Sequence, residues 1–486
     1  MTLDPADWDA TRVVAHRMVD DLLTYLETVR ERPVWRPVPG DVKARLEEPI
    51  PTEGADLADV YEQFVRDVLP YPTGNIHPRF WGWVMGTGTP TGMLAEMLAA
   101  GMNAHVAGYD QAAALVERRV LAWLIELMGF PVDASGVFVS GGTEANVNAL
   151  VAARVAKAGF DIRRDGVLGG PPLTVYGSVE THSWITKACE VMGLGRRAFR
   201  AIAVDGDYRI DHAALRDAIE ADLAGGLRPF AIVGNAGTVN TGAVDDLVGL
   251  RALADEYDLW FHVDGAFGSL AAWSAHRGLV AGQERADSLA FDLHKWGYMP
   301  YEVGVVLTRD RTAQTAAYGR PVADAPAYLR SAQRGISVDT TYFADRGMQL
   351  SRGFRALKVW MSMKEQGVDR IGAAIGRNID QAQRLARLVA EHPELELMAP
   401  VPMNTVCFRY VGGRHRTPDL DAINQEIVAT LQVDGVAVPS QTILRHGFAI
   451  RVCITNHRSE DSDFDLLVNE VVRIGSRLRA DAVSAG

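Results

Sequence analysis

Short apolar runs alternate with amphipathic stretches between residues 173 and 308, and this alternation limits the fold more than any other feature. The apolar runs are the predicted strands Leu173–Tyr176, Ala201–Val204, Phe230–Val233, Leu259–Val263, Ser288–Leu293 and Val303–Thr308. Between two of them, Asp211 is a typical helix N-cap, and Leu215 and Ile219 begin an apolar stripe. The pattern predicts an α/β fold, with a mostly parallel sheet covered by helices on both faces.

Polar residues follow several of these predicted strands. His182 follows the first strand and Thr238 the third, while Asp264 comes directly after the fourth. His294 and Lys295 follow the fifth. Because open α/β sheets bind ligands at the carboxyl ends of their strands, we expect these side chains to surround one site.

Lys295 is the lysine that the sequence singles out. The six lysines of the chain are Lys43, Lys157, Lys187, Lys295, Lys358 and Lys364. The other five lie in polar or helical contexts, where we expect a solvated ammonium, whereas Lys295 follows an apolar strand. Burial lowers the pKa of a lysine and makes it a nucleophile toward a carbonyl carbon. Lys295 is therefore a candidate covalent catalyst, and a structural lysine at a strand end is the alternative.

A glycine pair precedes a predicted helix near residue 140. The apolar run 137–139 leads into Ser140, Gly141, Gly142 and Thr143, and an amphipathic stretch follows. Glycines let a ligand approach the backbone closely, and the free N–H groups of a helix start attract anions. The stretch lacks the GK[ST] of a nucleotide-binding loop, which disfavours a triphosphate. It predicts a phosphate site, with an ordinary glycine-capped helix start as the alternative.

Taken together, these features indicate pyridoxal 5'-phosphate as the cofactor. Lys295 would hold its aldehyde as a Schiff base, and residues 141–143 would bind its phosphate. Asp264 would pair with the pyridine nitrogen and keep the ring protonated, so that the ring can accept an electron pair. His182 would stack on the ring face. Each feature alone is weak, but all four are predicted at strand ends of one sheet.

Two other classes of function remain open on these residues. His262, Asp264 and His294 match the order of a two-histidine, one-carboxylate iron site, which would make the protein a non-haem iron oxygenase. Such sites usually lie in all-β barrels, and the iron-site hypothesis gives Lys295 no role. The other class is a non-catalytic protein that keeps the fold for binding.

Composition excludes some partners. The 486 residues carry a net charge of −12, which argues against nucleic-acid binding. Three scattered cysteines, Cys189, Cys407 and Cys453, favour a reducing compartment. The N-terminus lacks a signal-peptide pattern, and no apolar run is long enough to span a membrane. We therefore expect a cytoplasmic protein without a membrane partner, and we expect no metal.

Five motifs give the chain a family resemblance. They are SGGTEAN at 140–146, the region around His182, HVDGAF at 262–267, DLHKW at 292–296 and SRGFRALKVW at 351–360. With these motifs the chain resembles the group II pyridoxal-phosphate-dependent amino-acid decarboxylases, of the aromatic-L-amino-acid decarboxylase type. The resemblance implies the aspartate aminotransferase-like fold (PLP fold type I) with an N-terminal helical arm and a small C-terminal α/β domain. It also implies a homodimer with its active sites at the interface.

The resemblance assigns roles to individual residues. It implies that Lys295 is the Schiff-base lysine, that Asp264 pairs with the pyridine nitrogen and that His182 stacks on the ring. The phosphate ligands that it implies are Gly142, Thr143 and His294, with Thr238 near the ring.

Three domains are expected. Residues 1–80 would form a helical arm that packs on the partner subunit. Residues 81–345 would form the large cofactor-binding domain with a catalytic lid loop, and residues 346–486 the small domain.

The predicted substrate pocket departs from the family pattern. The stretch 83–86 reads Trp-Val-Met-Gly, so Gly86 replaces the threonine that would touch the substrate carboxylate, and Thr87 is next to it. His105 replaces a pocket aromatic. Trp83, Met85, Thr87 and His105 are the candidate substrate-binding residues, and they favour an aromatic L-amino acid. Glutamate, aspartate or 2,4-diaminobutyrate are the alternative substrates.

Two further departures concern catalysis. Asp292 stands where the aromatic decarboxylases often have asparagine, and its carboxylate would repel the phosphate unless it faces elsewhere or is protonated. The family's catalytic lid tyrosine aligns with Phe343 when counted back from residue 351, and Tyr342 is one residue earlier. Tyr342 is our candidate acid for producing the amine. Phenylalanine there would imply an aromatic aldehyde synthase, which couples decarboxylation to oxidative deamination.

Overall fold

The computed structural model describes residues 2–319, 334–338, 342–412 and 419–484. These residues form two compact units. The larger unit contains residues 84–386 and 399–407, and the smaller unit contains residues 1–83, 387–398 and 408–486. Part of the predicted lid, residues 320–333 and 339–341, lies outside the described residues.

Helices and strands alternate along the middle of the chain. The α-helices are α1 (Trp8–Glu27), α2 (Gly40–Leu46), α3 (Leu57–Asp67), α4 (Pro90–Met102), α5 (Ala112–Leu127), α6 (Gly142–Lys157), α7 (Ile162–Asp165), α8 (Trp184–Val191), α9 (His212–Ala224), α10 (Leu247–Glu256), α11 (Arg311–Tyr318), α12 (Ala356–Gln366), α13 (Val368–Glu391), α14 (Leu420–Val433) and α15 (Asp461–Ser484). The strands are β1 (Phe80–Trp81), β2 (Ser135–Val139), β3 (Leu173–Ser178), β4 (Phe199–Ile202), β5 (Arg228–Asn235), β6 (Trp260–Asp264), β7 (Ser288–Asp292), β8 (Gly304–Thr308), β9 (Leu395–Leu397), β10 (Thr405–Tyr410), β11 (Val438–Leu444) and β12 (Gly447–Cys453).

A seven-stranded sheet forms the centre of the larger unit. Its order is β2-β8-β7-β6-β5-β3-β4. Strands β4, β3, β5, β6 and β7 run parallel, while β8 is antiparallel to both of its neighbours. Every residue of β2, β3, β6, β7 and β8 is buried, as expected for strands covered on both faces. The predicted mostly parallel α/β fold is confirmed.

Gly304 fixes the edge of this sheet at which the candidate site residues meet. It pairs with Val139 at the end of β2 and with Asp292 at the end of β7. Because both strands are antiparallel to β8, they run in the same direction. Their ends lie at the same edge of the sheet, on either side of β8. A Cβ atom on Gly304 would lie 2.6 Å from the Gly141 Cα atom and 2.8 Å from Asp292 Oδ1. A glycine at this position therefore lets the loop after β2 lie against Asp292.

The smaller unit combines the N-terminal segment with C-terminal elements. Strand β1 pairs in parallel with β11, which pairs antiparallel with β12. Arg30 forms an ion pair with the buried carboxylate of Asp463 at 2.9 Å. The N-terminal segment thus shares a unit with the C-terminal strands, whereas residues 346–386 belong to the larger unit. The three-domain division at 80 and 345 stays a prediction. Within the described residues, no helix is both long and apolar enough to cross a bilayer.

A buried ion pair joins three segments of the larger unit. Arg352 and Glu117 pair through their side chains, and both are almost fully buried. The Arg352 guanidinium also donates to the carbonyl oxygens of Val106, at 2.7 Å, and Phe138, at 2.9 Å. These bonds hold Arg352 in the segment that precedes α12.

We expect Glu117→Leu to lower the free energy of unfolding by about 3 kcal/mol or more, because it leaves the Arg352 charge buried without its partner. Urea denaturation of the purified protein measures this change. The control is Asp9→Asn, which removes an exposed ion pair with Arg12 and should change stability little. Equal effects of the two substitutions would contradict the prediction.

Candidate active site

Lys295 and Asp292 form an ion pair at the end of β7. Lys295 Nζ lies 3.0 Å from Asp292 Oδ2, and the lysine side chain is 23% exposed while the aspartate is 1% exposed. Burial by itself would lower the Lys295 pKa, but Asp292, followed by Asp264 and Tyr301, opposes this effect, and together they raise the pKa. The expectation of a lowered lysine pKa is therefore wrong for this pair, because the sequence does not show which way Asp292 faces.

The second oxygen of Asp292 is buried without a hydrogen-bond partner among the described residues. A Cβ atom on Gly142 would lie 2.9 Å from Asp292 Oδ2, and a Cβ atom on Gly141 would lie 3.1 Å from His294 Cε1. The glycine pair at the start of α6 therefore lies directly against the Asp292 and His294 side chains.

The start of α6 provides free backbone donors. Gly141 is its N-cap, and no described side chain caps the helix. Glu144 instead turns back to Ser140, whose N–H and hydroxyl donate to Glu144 Oε2 at 2.9 and 2.6 Å. Thr143 is exposed at this helix start. The arrangement suits an anion.

Asp264 ends β6 and is held by two donors. The Trp184 indole N–H donates to Asp264 Oδ2 at 2.6 Å, and the Ala266 N–H donates to Oδ1 at 3.1 Å. Parallel pairing sets Asp264 beside Asn235 of β5 and Ala290 of β7. The carboxylate therefore has a fixed orientation at the same sheet edge as Lys295.

His182 lies within the electrostatic reach of this cluster. Its pKa is lowered, first because the surrounding protein displaces water, although part of the residue remains exposed. Asp264 and Asp292 oppose that shift, while Lys295 reinforces it. The structure thus brings His182, Asp264, Asp292 and Lys295 together, and the His182 ring is neutral at neutral pH.

The loop that contains Gly86 packs on the backbone of Lys295. A Cβ atom on Gly86 would lie 1.8 Å from the carbonyl oxygen of His294 and 2.6 Å from that of Lys295. Thr87, next in the chain, is 2% exposed. Gly86 thus does more than replace a threonine, because only a residue without a side chain allows this contact.

Tyr301 is a site neighbour that the sequence analysis missed. Its ring lies 4.4 Å from that of His294, centroid to centroid, and the charges of Lys295 and Asp292 act on its phenol. Tyr301 follows Lys295 by six residues in a loop, and no sequence pattern indicated that the loop folds back over His294.

The expectation that the lysines other than Lys295 are solvated is wrong for Lys358. Lys358 is 1% exposed within α12. Its ammonium pairs with Glu96 at 2.8 Å and donates to the carbonyl oxygens of Pro300 and Glu302 at 3.1 and 2.9 Å. Its surface-like helical context misled the prediction, because α12 packs on the loop that carries Tyr301.

The geometry contradicts the iron site. His262 is fully buried, and both of its ring nitrogens are engaged. Nε2 lies 2.7 Å from Asn146 Oδ1, and Nδ1 lies 2.8 Å from the Ser288 hydroxyl. His262 therefore has no nitrogen available for a metal beside Asp264.

The remaining predicted residues lie in separate surroundings. Thr238 is buried in its own turn, where its hydroxyl lies 3.1 Å from that of Thr241. Trp83 belongs to the smaller unit, and its carbonyl accepts from Arg451 at 2.7 Å. Met85 is half-buried and His105 is exposed. For these residues, contact with a substrate stays a prediction.

Tyr342 and Phe343 face different surroundings. Phe343 is fully buried, its N–H donates to Ala107 O at 2.7 Å, and Arg352 lies over its ring at 5.0 Å. Tyr342 is half-buried, and its ring meets that of Tyr109 edge-on at 6.2 Å. His105 lies 6.0 Å from Tyr109, so these three rings form a row.

Comparison with known proteins identifies the family. The model of the pyridoxal-dependent decarboxylase conserved domain matches residues 39–411. The chain belongs to this family. It is 33% identical over 455 residues to an aromatic-L-amino-acid decarboxylase of Bacillus atrophaeus, with 92% of each chain covered.

Two further relatives extend the comparison. An L-2,4-diaminobutyrate decarboxylase of Rhizobium meliloti is 33% identical over 414 residues, which cover 85% of this chain and 81% of that protein. The structure of Oryza sativa TDC with PLP and tryptamine superposes with a TM-score of 0.89 at 26% identity, covering 98% of this chain and all of that one. The predicted fold type I, the pyridoxal phosphate cofactor and the activity of an amino-acid decarboxylase, a lyase, are confirmed.

We expect Gly86→Ala to weaken cofactor binding by this decarboxylase about fivefold or more, because the added methyl group would overpack this contact at a cost of about 1–3 kcal/mol. A fluorescence titration of the cofactor-free protein with pyridoxal phosphate measures the affinity. Gly206→Ala is the control, since a Cβ atom added at Gly206 would meet nothing within 4 Å. Wild-type affinity in the Gly86 variant would show that the loop does not depend on this contact.

Proposed function

We propose that the sheet edge around Lys295 holds pyridoxal phosphate and that the enzyme decarboxylates an aromatic L-amino acid to its amine. The observation that carries this proposal is the convergence of three groups at one edge: the Lys295 amine, the Asp264 carboxylate and the uncapped start of α6. The donor set fits the cofactor, which needs an amine for its aldehyde, a carboxylate for its pyridine nitrogen and N–H groups for its phosphate.

Each residue has a separate task in this proposal. Lys295 provides the covalent attachment, and His182 packs on the ring with Thr238 nearby. The N–H groups of Gly142 and Thr143, together with Gly141 and His294, bind the phosphate. Burial lowers the His294 pKa, and its Nδ1 accepts a hydrogen bond from the Val303 N–H at 3.0 Å. The other nitrogen of the neutral ring is thus left as the donor.

Asp264 sets the electronics of the site. When bound, pyridoxal phosphate supplies a protonated ring that accepts the electron pair left as the substrate carboxylate departs as carbon dioxide. Trp184 and Ala266 hold Asp264 in one orientation, so its charge can keep the proton on the ring nitrogen without rearrangement.

Tyr342 is the proposed proton donor to the substrate Cα atom. Two observations support Tyr342 over Phe343. Phe343 points into the core under Arg352, and it has no ionisable group. Tyr342 lies in the row of rings with Tyr109 and His105. Decarboxylation to an amine is therefore favoured over aldehyde synthesis.

The proposed substrate is aromatic. Support comes from the similarity to the Bacillus atrophaeus enzyme and to the Oryza sativa structure that contains tryptamine. His105 would contribute a ring to the pocket, with Met85 and Thr87 as further lining residues. The Rhizobium meliloti relative keeps 2,4-diaminobutyrate as the alternative, and glutamate and aspartate belong in the same panel.

A homodimer is the proposed assembly. Helix α4 exposes three large apolar side chains, Met97, Leu98 and Met102, with 52%, 47% and 57% of their surfaces accessible. Their spacing places Leu98 and Met102 on one helix face, which a second copy of the chain would cover. The cytoplasmic location stays a prediction.

The reaction is tested with a panel of L-amino acids while carbon dioxide, amine, aldehyde and peroxide are measured together. We expect carbon dioxide and amine from an aromatic substrate. Tyr342→Phe should lower amine formation about tenfold or more, because it removes the general acid. Tyr257→Phe is the control, since it removes a surface phenol bonded to Glu220. Absence of carbon dioxide from every amino acid would refute the proposal.

Asp264→Asn should separate cofactor attachment from turnover. We expect the variant to keep its covalently bound cofactor but to lose about 100-fold or more in kcat, because the neutral amide cannot hold the ring nitrogen protonated. Asp287→Asn is the control, since Asp287 lies at the opposite end of the same strands and pairs with Arg251 at 2.8 Å. A kcat within twofold of wild type for Asp264→Asn would contradict the role.

A further inference from the structure

Asp292 constrains the lysine that must react with the cofactor. Its Oδ2 atom lies 3.0 Å from Lys295 Nζ, and the carboxylate is 1% exposed. The aspartate cannot move away easily, because its N–H donates to Ala266 O at 2.9 Å and its side chain packs against the backbone at Gly142 and Gly304. The lysine therefore has a fixed, buried counter-ion.

We propose that Asp292 is a positioning residue that keeps Lys295 protonated and in place in the cofactor-free chain, so that capture of the cofactor is gated by the loss of a proton from this pair. The inference rests on the proposed role of Lys295 as the attachment point. It goes beyond that role because it assigns the rate of cofactor loading, and its pH dependence, to one side chain.

Capture requires the neutral amine. The Lys295 ammonium first loses one proton to solvent, which frees the Nζ electron pair. That pair forms a bond to the aldehyde carbon of the cofactor. The carbon–oxygen bond breaks, and the oxygen leaves as water with the two hydrogens that remained on the amine. A carbon–nitrogen double bond replaces the carbonyl.

The other charged and titratable groups around the pair do not provide the same control. Asp264 acts on Lys295 from the end of β6 and Tyr301 acts from the loop between β7 and β8, but Asp292 acts more strongly than either. His294 and His182 also face Asp292, and burial lowers the pKa of each ring. Both rings are therefore neutral at neutral pH and add no charge.

The Lys295–Asp292 ion pair determines whether Asp292 speeds or slows the capture of the cofactor. Because Asp292 raises the Lys295 pKa, the ammonium form dominates at neutral pH, and the reactive fraction grows about tenfold for each pH unit. With asparagine at this position, burial is opposed only by the weaker effects of Asp264 and Tyr301, and the Lys295 pKa falls.

The test measures how fast the cofactor-free, full-length protein forms its lysine–cofactor bond, followed by absorbance from about pH 6 to about pH 9.5. Two probes are used, pyridoxal 5'-phosphate and pyridoxal, which lacks the phosphate. We expect Asp292→Asn to react at least about tenfold faster than wild type near pH 7 with both probes, with a difference that shrinks as the pH rises. Asp222→Asn is the control, since Asp222 is a largely buried aspartate paired with Arg200, at 2.9 Å, and it should react like wild type.

Three results would overturn the proposal. The first is a rate for Asp292→Asn that equals or falls below wild type with both probes. The second is acceleration with pyridoxal 5'-phosphate alone, because the carboxylate would then act by repelling the phosphate. The third is failure of the wild-type chain to form a bond with either probe, which would refute the role of Lys295 itself.

A separate measurement covers the case in which the Asp292→Asn variant fails to fold, as judged by circular dichroism. The wild-type rate with pyridoxal, measured to a higher pH, then decides. A rate that is still rising above about pH 10.4, the pKa of an unperturbed lysine, supports the proposal, and a plateau reached below that pH contradicts it.

Discussion

The candidate site depends on close contacts between backbone segments at glycine positions, where no side chain holds the segments apart. Gly304 lies between the ends of β2 and β7 and leaves room for both Gly141 and Asp292. Gly86 provides a second such contact on the backbone of Lys295. Because close-packed interiors do not yield easily to an added methyl group, these contacts fix the distance between the start of α6 and Lys295.

The sequence predicted the framework of the site because the framework follows from periodicity. Buried parallel strands read as short apolar runs, and their carboxyl ends must share one edge of the sheet. The sequence alone therefore groups Asp264 with Lys295. The glycine pair at 141 and 142 was equally visible, since a helix start after an apolar strand is a local pattern.

The sequence could not predict contacts that arise between distant segments. Lys358 looked like a surface lysine in a helix, but its helix packs on the turn at Pro300 and Glu302. Tyr301 folds back over His294 without any local pattern to indicate it. The direction of the Asp292 side chain was undetermined for the same reason, and that direction reverses the expected shift of the Lys295 pKa. In each case the neighbouring residue is set by how distant segments pack together, and residue spacing in the sequence does not show this packing.

In the proposed mechanism Lys295, and no other lysine, joins the cofactor. Borohydride reduction of the loaded enzyme, followed by peptide mapping with mass spectrometry, tests this assignment directly. We expect one pyridoxyl group on the peptide that contains Lys295. A pyridoxyl group on the peptide that contains the buried Lys358, or no modified peptide at all, would contradict this assignment.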